Sequence, residues 1–177
     1  MSYEPTRLVK AAWSSSPRCL AGFDAEPVKA PPFPRVLNEQ AFFRLSCPCG
    51  SASLQILGYP NELVAGYLLC PLSAQCYLCD RVIPLFDARE HGYDGEYAPP
   101  GYAERGSGEP QQYECPHCAG GTFSAYGAFS YQFEENDADE LAATCPGRIQ
   151  DLFDWFILSV RCDRCGVFGI AADYECA

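Results

Sequence analysis

The stretch Tyr113-Glu114-Cys115-Pro116-His117-Cys118-Ala119-Gly120-Gly121-Thr122-Phe123 decides how this 177-residue chain is read. Two thiols separated by two residues can turn toward one ion, each about 2.3 Å from it. The rival reading is a redox-active Cys-Pro-His-Cys, which needs its first cysteine at a helix N-terminus to lower the thiol pKa. Ala119-Gly120-Gly121 running into Thr122-Phe123 predicts a turn and a strand instead. The pair therefore reads as half of a metal site, and Cys162-Asp163-Arg164-Cys165-Gly166 supplies the other half.

Working outward, the first part of the chain carries the same grammar: Cys47-Pro48-Cys49-Gly50, a strand-like Leu54-Gln55-Ile56-Leu57-Gly58-Tyr59, then Cys76-Tyr77-Leu78-Cys79. Alternation of apolar and polar residues over 54–59 is the period of a half-buried strand. A further strand is expected at Val64–Leu69, and Arg81-Val82-Ile83-Pro84-Leu85-Phe86-Asp87 follows the second pair. At an offset of 69, Cys49, Ser53, Leu54 and Gly58 fall on Cys118, Thr122, Phe123 and Gly127. At an offset of 86, Cys76, Cys79 and Asp87 fall on Cys162, Cys165 and Asp173. The reading is two copies of one unit, the second with a 17-residue insertion. That insertion is expected to be partly helical, over 137–143 and over 148–156, where Ile149, Leu152, Phe153 and Phe156 have helical spacing.

Pair, hairpin, pair is the layout of a zinc ribbon, and over roughly 42–90 and 112–175 the chain resembles the zinc-ribbon (zinc β-ribbon) group. The resemblance implies thiolate knuckles at hairpin tips and is nearly silent on function, since that fold serves many proteins. The expected fold is mainly β with minor α: a Pro-rich N-terminal arm over 1–40, a zinc-ribbon-like unit over 41–92, a linker over 93–112, and a second unit over 113–177. The expected ligands are Cys47, Cys49, Cys76 and Cys79 for one structural Zn2+, and Cys115, Cys118, Cys162 and Cys165 for another. Cys47-Pro48-Cys49 is one residue shorter than the usual knuckle, so Cys70 is an alternative ligand there. Iron–sulfur remains the competing metal chemistry. Cys19, Cys70, Cys145 and Cys176 read as small buried apolar side chains, and Cys70-Pro71 and Cys145-Pro146 as equivalent positions.

Composition bounds the rest. Two histidines leave little material for histidine-based catalysis, and no run approaches the roughly 18 apolar residues a membrane helix needs. The N-terminal MSYEPTRLVKAAWSSSPRC has no continuous apolar stretch, and the cysteines cluster as metal pairs do. Together these predict a reducing, cytoplasmic setting. Residues 1–40 hold six of the fifteen prolines and read either as an extended arm that wraps or tethers, with Trp13, Leu20 and Phe23 as candidate anchors, or as a disordered leader. The formal charge is -11, carried almost entirely after residue 40, and two four-thiolate zinc sites would take it to about -15. Such a surface repels phosphate, so nucleic acid is an unexpected partner, while a basic protein is a suitable one. The densest acidic run, Glu134, Glu135, Asp137, Asp139 and Glu140, is the candidate contact, with Tyr126, Phe129, Tyr131 and Phe133 beside it. Glu90-His91-Gly92-Tyr93-Asp94-Gly95-Glu96 reads as a turn closing the first unit. The expected function is a non-enzymatic protein-binding module, with an immunity- or antitoxin-type inhibitor as its sharpest form. A zinc ribbon working through a polymerase or ribosomal contact is the alternative, and an enzyme with an unrecognised site the third.

Overall fold

The computed structural model describes residues 7–28, 40–92, 105–131, 140, 143 and 147–176. These residues are mainly β. One short helix, α1 (Arg7–Ser14), precedes β1 (Asp24–Pro27), β2 (Gln40–Ser46), β3 (Leu54–Pro60), β4 (Leu68–Cys76) and β5 (Val82–Phe86). There follow β6 (Gln111–Gln112), β7 (Phe123–Ser130), β8 (Trp155–Cys162) and β9 (Phe168–Glu175). All nine strands belong to one curled antiparallel sheet in the order β1-β2-β7-β3-β4-β5, with β8 and then β9 on the far side of β7 and β6 alongside β3. No described helix is long and apolar enough to cross a membrane.

Strand formation follows the sequence pattern most clearly in β3 and β4, where buried and half-buried residues alternate without a break from Leu54 to Tyr59 and from Leu68 to Cys76. Curling brings the inner faces of β4–β5 and β8–β9 together. Phe86 of β5 stacks on Phe156 of β8 at 4.2 Å and meets Tyr174 of β9 at 5.3 Å. Phe129 extends the cluster to Phe153 at 4.8 Å and Phe43 at 5.9 Å. Offset or edge-on aromatic pairs at such distances add about 1 kcal/mol each beyond the area they bury.

The pairing register recurs along the chain. Leu54 lies opposite Cys76 and Phe123 opposite Cys162, the same positions at offsets of 69 and 86. Gln75 pairs with Val82 and Arg161 with Phe168, and the irregularity between Leu72 and Ser73 recurs between Leu158 and Ser159. Leu54 is also paired directly with Phe123. A row therefore runs Cys76, Leu54, Phe123, Cys162 across four strands, a span of roughly 15 Å at ordinary strand spacing.

The strands that lead into the first cysteine pair of each centre pair with strands that follow the other centre's first pair. β2, which runs into Cys47, pairs not with β3 but with β7, from Gln40 opposite Ser130 to Leu45 opposite Ala125. β6, which runs into Cys115, pairs with β3 through Leu57–Gln112 and Gly58–Gln111. Tyr113 then donates its N–H to the Ile56 carbonyl.

Several expectations are corrected. Within the proposed arm, residues 7–14 are helical, with Leu8, Val9 and Ala12 buried as one stripe, and residues 24–27 form an edge strand on β2. The candidate anchors Leu20 and Phe23 are buried, as an anchoring role expects, and Arg18 is tied to Asp151 by a 2.7 Å ion pair. The strand expected at Val64–Leu69 begins only at Leu68, because Asn61 Oδ1 accepts the N–H groups of Leu63 and Val64 and holds a turn there. Within the proposed linker, Arg105 forms an ion pair with Asp87 and bridges Cys70, and Gln111–Gln112 is β6. Residues 93–104 lie outside the described ones. Over 148–156 the expected helix is only a 3-10 turn at Ile149–Asp151, and Trp155 already starts β8. There the pairing of β8 on both sides, by β7 and β9, overrides the local helical spacing. Of 137–143, only Glu140 and Ala143 are described, and both are helical. The register aligns Cys70 with Phe156 at the offset of 86, not with Cys145, which lies outside the described residues.

Candidate metal centres

Each centre joins a strand-to-strand turn to a hairpin tip. In the first, Cys47 and Cys49 sit between β2 and β3, and Cys76 and Cys79 end β4. In the second, Cys115 and Cys118 sit between β6 and β7, and Cys162 and Cys165 end β8. Backbone bonds shape the tips identically: Asp80 N–H to Cys76 O at 2.9 Å recurs as Gly166 N–H to Cys162 O at 2.8 Å. Tyr77 N–H to Ser53 O recurs as Asp163 N–H to Thr122 O. Each tight turn needs one left-handed residue, at φ 59° in Asp80 and φ 74° in Gly166. The turns carrying the other pairs do the same at Gly50 (φ 90°) and Ala119 (φ 54°).

The four sulfurs of each set lie within 4.8 Å of one another. Cys47–Cys79 and Cys49–Cys76 Sγ separations are 3.6 and 3.5 Å, and Cys115–Cys165 and Cys118–Cys162 are 3.7 and 3.5 Å. A tetrahedral ion with sulfurs at about 2.3 Å has sulfur–sulfur edges of about 3.8 Å. A disulfide would need about 2.05 Å. The donor sets therefore fit two metal ions, one per centre. All eight predicted cysteines are brought together, the short Cys47-Pro48-Cys49 turn included. Cys70 is not a member: six residues before Cys76 on one strand, it sits roughly 20 Å away along β4.

Electrostatics prepares the first thiol of each hairpin-tip pair. Burial alone would raise Cys76, but the backbone N–H groups of Cys79 and Leu78, with the Cys49 and Cys79 thiols, bring it down to about 6. Cys162 is likewise brought down to about 7 by the N–H groups of Cys165 and Arg164 against the opposing effect of burial. A thiolate is what binds the metal, so the lowering at these two positions favours the form an ion needs. Cys118, raised by burial and by its three neighbouring thiols, stands at about 12. Cys47 also reaches about 12, although the Cys49 N–H favours its thiolate: burial and the thiols of Cys49, Cys79 and Cys76 outweigh that bond. An entering metal must displace the protons these two thiols carry.

The remaining candidates are placed as follows. Cys19, Cys70 and Cys176 are buried, and burial pushes the Cys19 and Cys176 thiols well up. His91 Nδ1 accepts the Asp87 N–H at 3.0 Å, and the Glu90 and His91 N–H groups return to the Asp87 carbonyl, so this segment is a turn. Phe129 and Tyr131 are core residues, Tyr131 donating its hydroxyl to the Gln150 carbonyl at 2.7 Å, and Tyr126 is half-buried. Glu140 is exposed, whereas Glu134, Glu135, Asp137, Asp139, Phe133 and residues 93–96 lie outside the described ones.

Sequence reasoning missed Asp163 as a fastener. Its carboxylate accepts from Ser53 Oγ at 2.6 Å and Ser124 Oγ at 3.3 Å, joining the second tip to the turn beside the first centre. The direct pairing of Leu54 with Phe123, which brings Ser53 to that tip, has no signature in local sequence. No protein-family model, no curated protein and no solved structure matches the chain.

Proposed function

We propose that the chain is a non-enzymatic, zinc-stapled module that binds another protein through its acidic surface. On this reading it is two copies of one zinc-ribbon unit that have exchanged their leading strands, in keeping with the recurring register and the reciprocal β2–β7 and β6–β3 pairs. The observation that carries it is the pair of closed four-sulfur sets. A catalytic zinc keeps a position open for water or substrate, whereas four thiolates fill the coordination shell and make a staple. Sulfur edges near 3.6 Å suit a single ion and are too short for a multi-iron cube. With thiolates included, the chain is strongly anionic, and a basic protein is the complement that long-range attraction selects. An immunity- or antitoxin-type inhibitor that covers a partner's substrate-binding cations is the specific form proposed, acting in the cytoplasm.

Elemental analysis of the purified chain should return two zinc per chain, and a red or brown iron spectrum would replace zinc in this account. Co-purification from the native host should then yield one strongly basic protein that dissociates with salt. Recovery of nucleic acid at moderate salt in its place would favour the polymerase- or ribosome-linked alternative.

A further inference from the structure

The two hairpin tips have the same backbone and opposite surfaces. At the second tip, Asp163 is bonded to Ser53 and Ser124, and Arg164 Nη1 donates to the Cys118 carbonyl at 3.2 Å. At the offset of 86 the first tip has Tyr77 and Leu78 in those places, 65% and 71% exposed, with Val82 beside them at 54%. Between them stand Asp80 and Arg81, both exposed, and neither side chain has an ion-pair partner among the described residues.

We propose that this tip is a contact between two copies of the chain. Tyr77, Leu78 and Val82 are each more than half exposed and lie within six residues of one another at this tip. A two-fold contact requires a self-complementary surface. Asp80 and Arg81 supply that: one acid and one base, adjacent in sequence, can each meet the other in the second copy. A basic partner protein fits this patch less well, because Arg81 stands within it. The four-sulfur centre behind the tip fixes it in place, so little conformational freedom remains to be lost on association. With less than the usual ~800 Å2 per partner, the dimer is weak and reversible. Because both copies are acidic, added salt should strengthen it by screening their mutual repulsion. Self-association of the purified chain is read without any other protein present, so this proposal stands or falls apart from binding to a basic protein.

Sedimentation velocity of the full, metal-loaded chain from about 1 to 200 µM should show monomer passing to dimer across the range. Leu78→Lys should stay monomeric throughout while keeping two metals and an unchanged melting temperature. Arg81→Asp should weaken the dimer at least tenfold by setting acids against acids, and Asp80→Arg combined with Arg81→Asp should restore it. Wild-type chain that remains monomeric at the highest concentration in ~0.5 M salt overturns the proposal. So does a dimer that is indifferent to both single substitutions.

Discussion

The turn before β3 and the turn before β7 do one job with different numbers of residues. Cys47-Pro48-Cys49 has a single residue between its thiols and Cys115-Pro116-His117-Cys118 has two, yet the sulfur–sulfur distances they achieve differ by no more than about 0.2 Å. Cys47 N–H reaches Ser51 O, and Cys115 N–H reaches Gly120 O, one residue further along its longer turn. The difference teaches that a four-sulfur site constrains the positions of its sulfurs and little else. Everything hung outside that constraint has diverged: the second tip is tied down by Asp163 and Arg164, and the first is left apolar and open.

Removing metal tests that comparison most severely. A structural zinc site contributes about 10 kcal/mol in small domains. Cys162→Ser should abolish the second centre and, because β6 is held by β3 and β2 by β7, loosen the first as well. Hydrogen exchange should show both centres losing protection together; a first centre that stays protected would break the idea of interlocked halves. Acidification should next release metal from both centres. Both lowered thiols bind fewer protons folded than unfolded, so their contribution is present above the ordinary thiol pKa of 9.0 and is lost as pH falls through the folded values. Native mass spectrometry should therefore see both centres lose their metal as the pH falls below neutrality, and full retention of both ions at pH 4 would contradict this.

A smaller effect distinguishes the tips themselves. Asp163→Ala strands two serine hydroxyls and should cost about 1 kcal/mol in denaturant unfolding, whereas Leu78→Ala, at a 71% exposed site, should cost almost nothing. The smallest expected change is a gain. Ala119 sits at φ 54°, where an L side chain is strained and glycine is not, so Ala119→Gly should stabilise by roughly 0.5–1 kcal/mol. Gly50→Ala, at φ 90°, should do the reverse. Thermal melts of the two variants that moved in the same direction would contradict this account of the turns.

Much of the site was legible because ligand spacing is local. Each cysteine pair falls within one turn, and the strand alternation of β3 announces the hairpin that joins one pair to the next. What local pattern hides is pairing between distant segments. Ile149, Leu152, Phe153 and Phe156 are spaced as on a helix, and only β7 and β9 on either side make Trp155–Cys162 a strand. Gln111–Gln112 has no apolar residue to mark it, so nothing near it in sequence distinguishes β6 from a linker. The stripe Leu8, Val9 and Ala12 was present all along, but the prolines around it dominated the composition of the first forty residues.

The long-range pairing of β2 with β7 also sets a schedule for synthesis. Gln40–Leu45 emerges from the ribosome more than eighty residues ahead of Ala125–Ser130, with which it pairs. At ordinary translation rates that is a wait on the order of 10 s with one strand edge uncovered. During it, the nascent first half has all four thiols of its own centre, but β3 lacks β6 and Phe123 beside it. Completion of the chain closes that window, so premature termination anywhere before residue 130 would release a fragment whose exposed edge seeks another strand rather than a shortened version of the same protein.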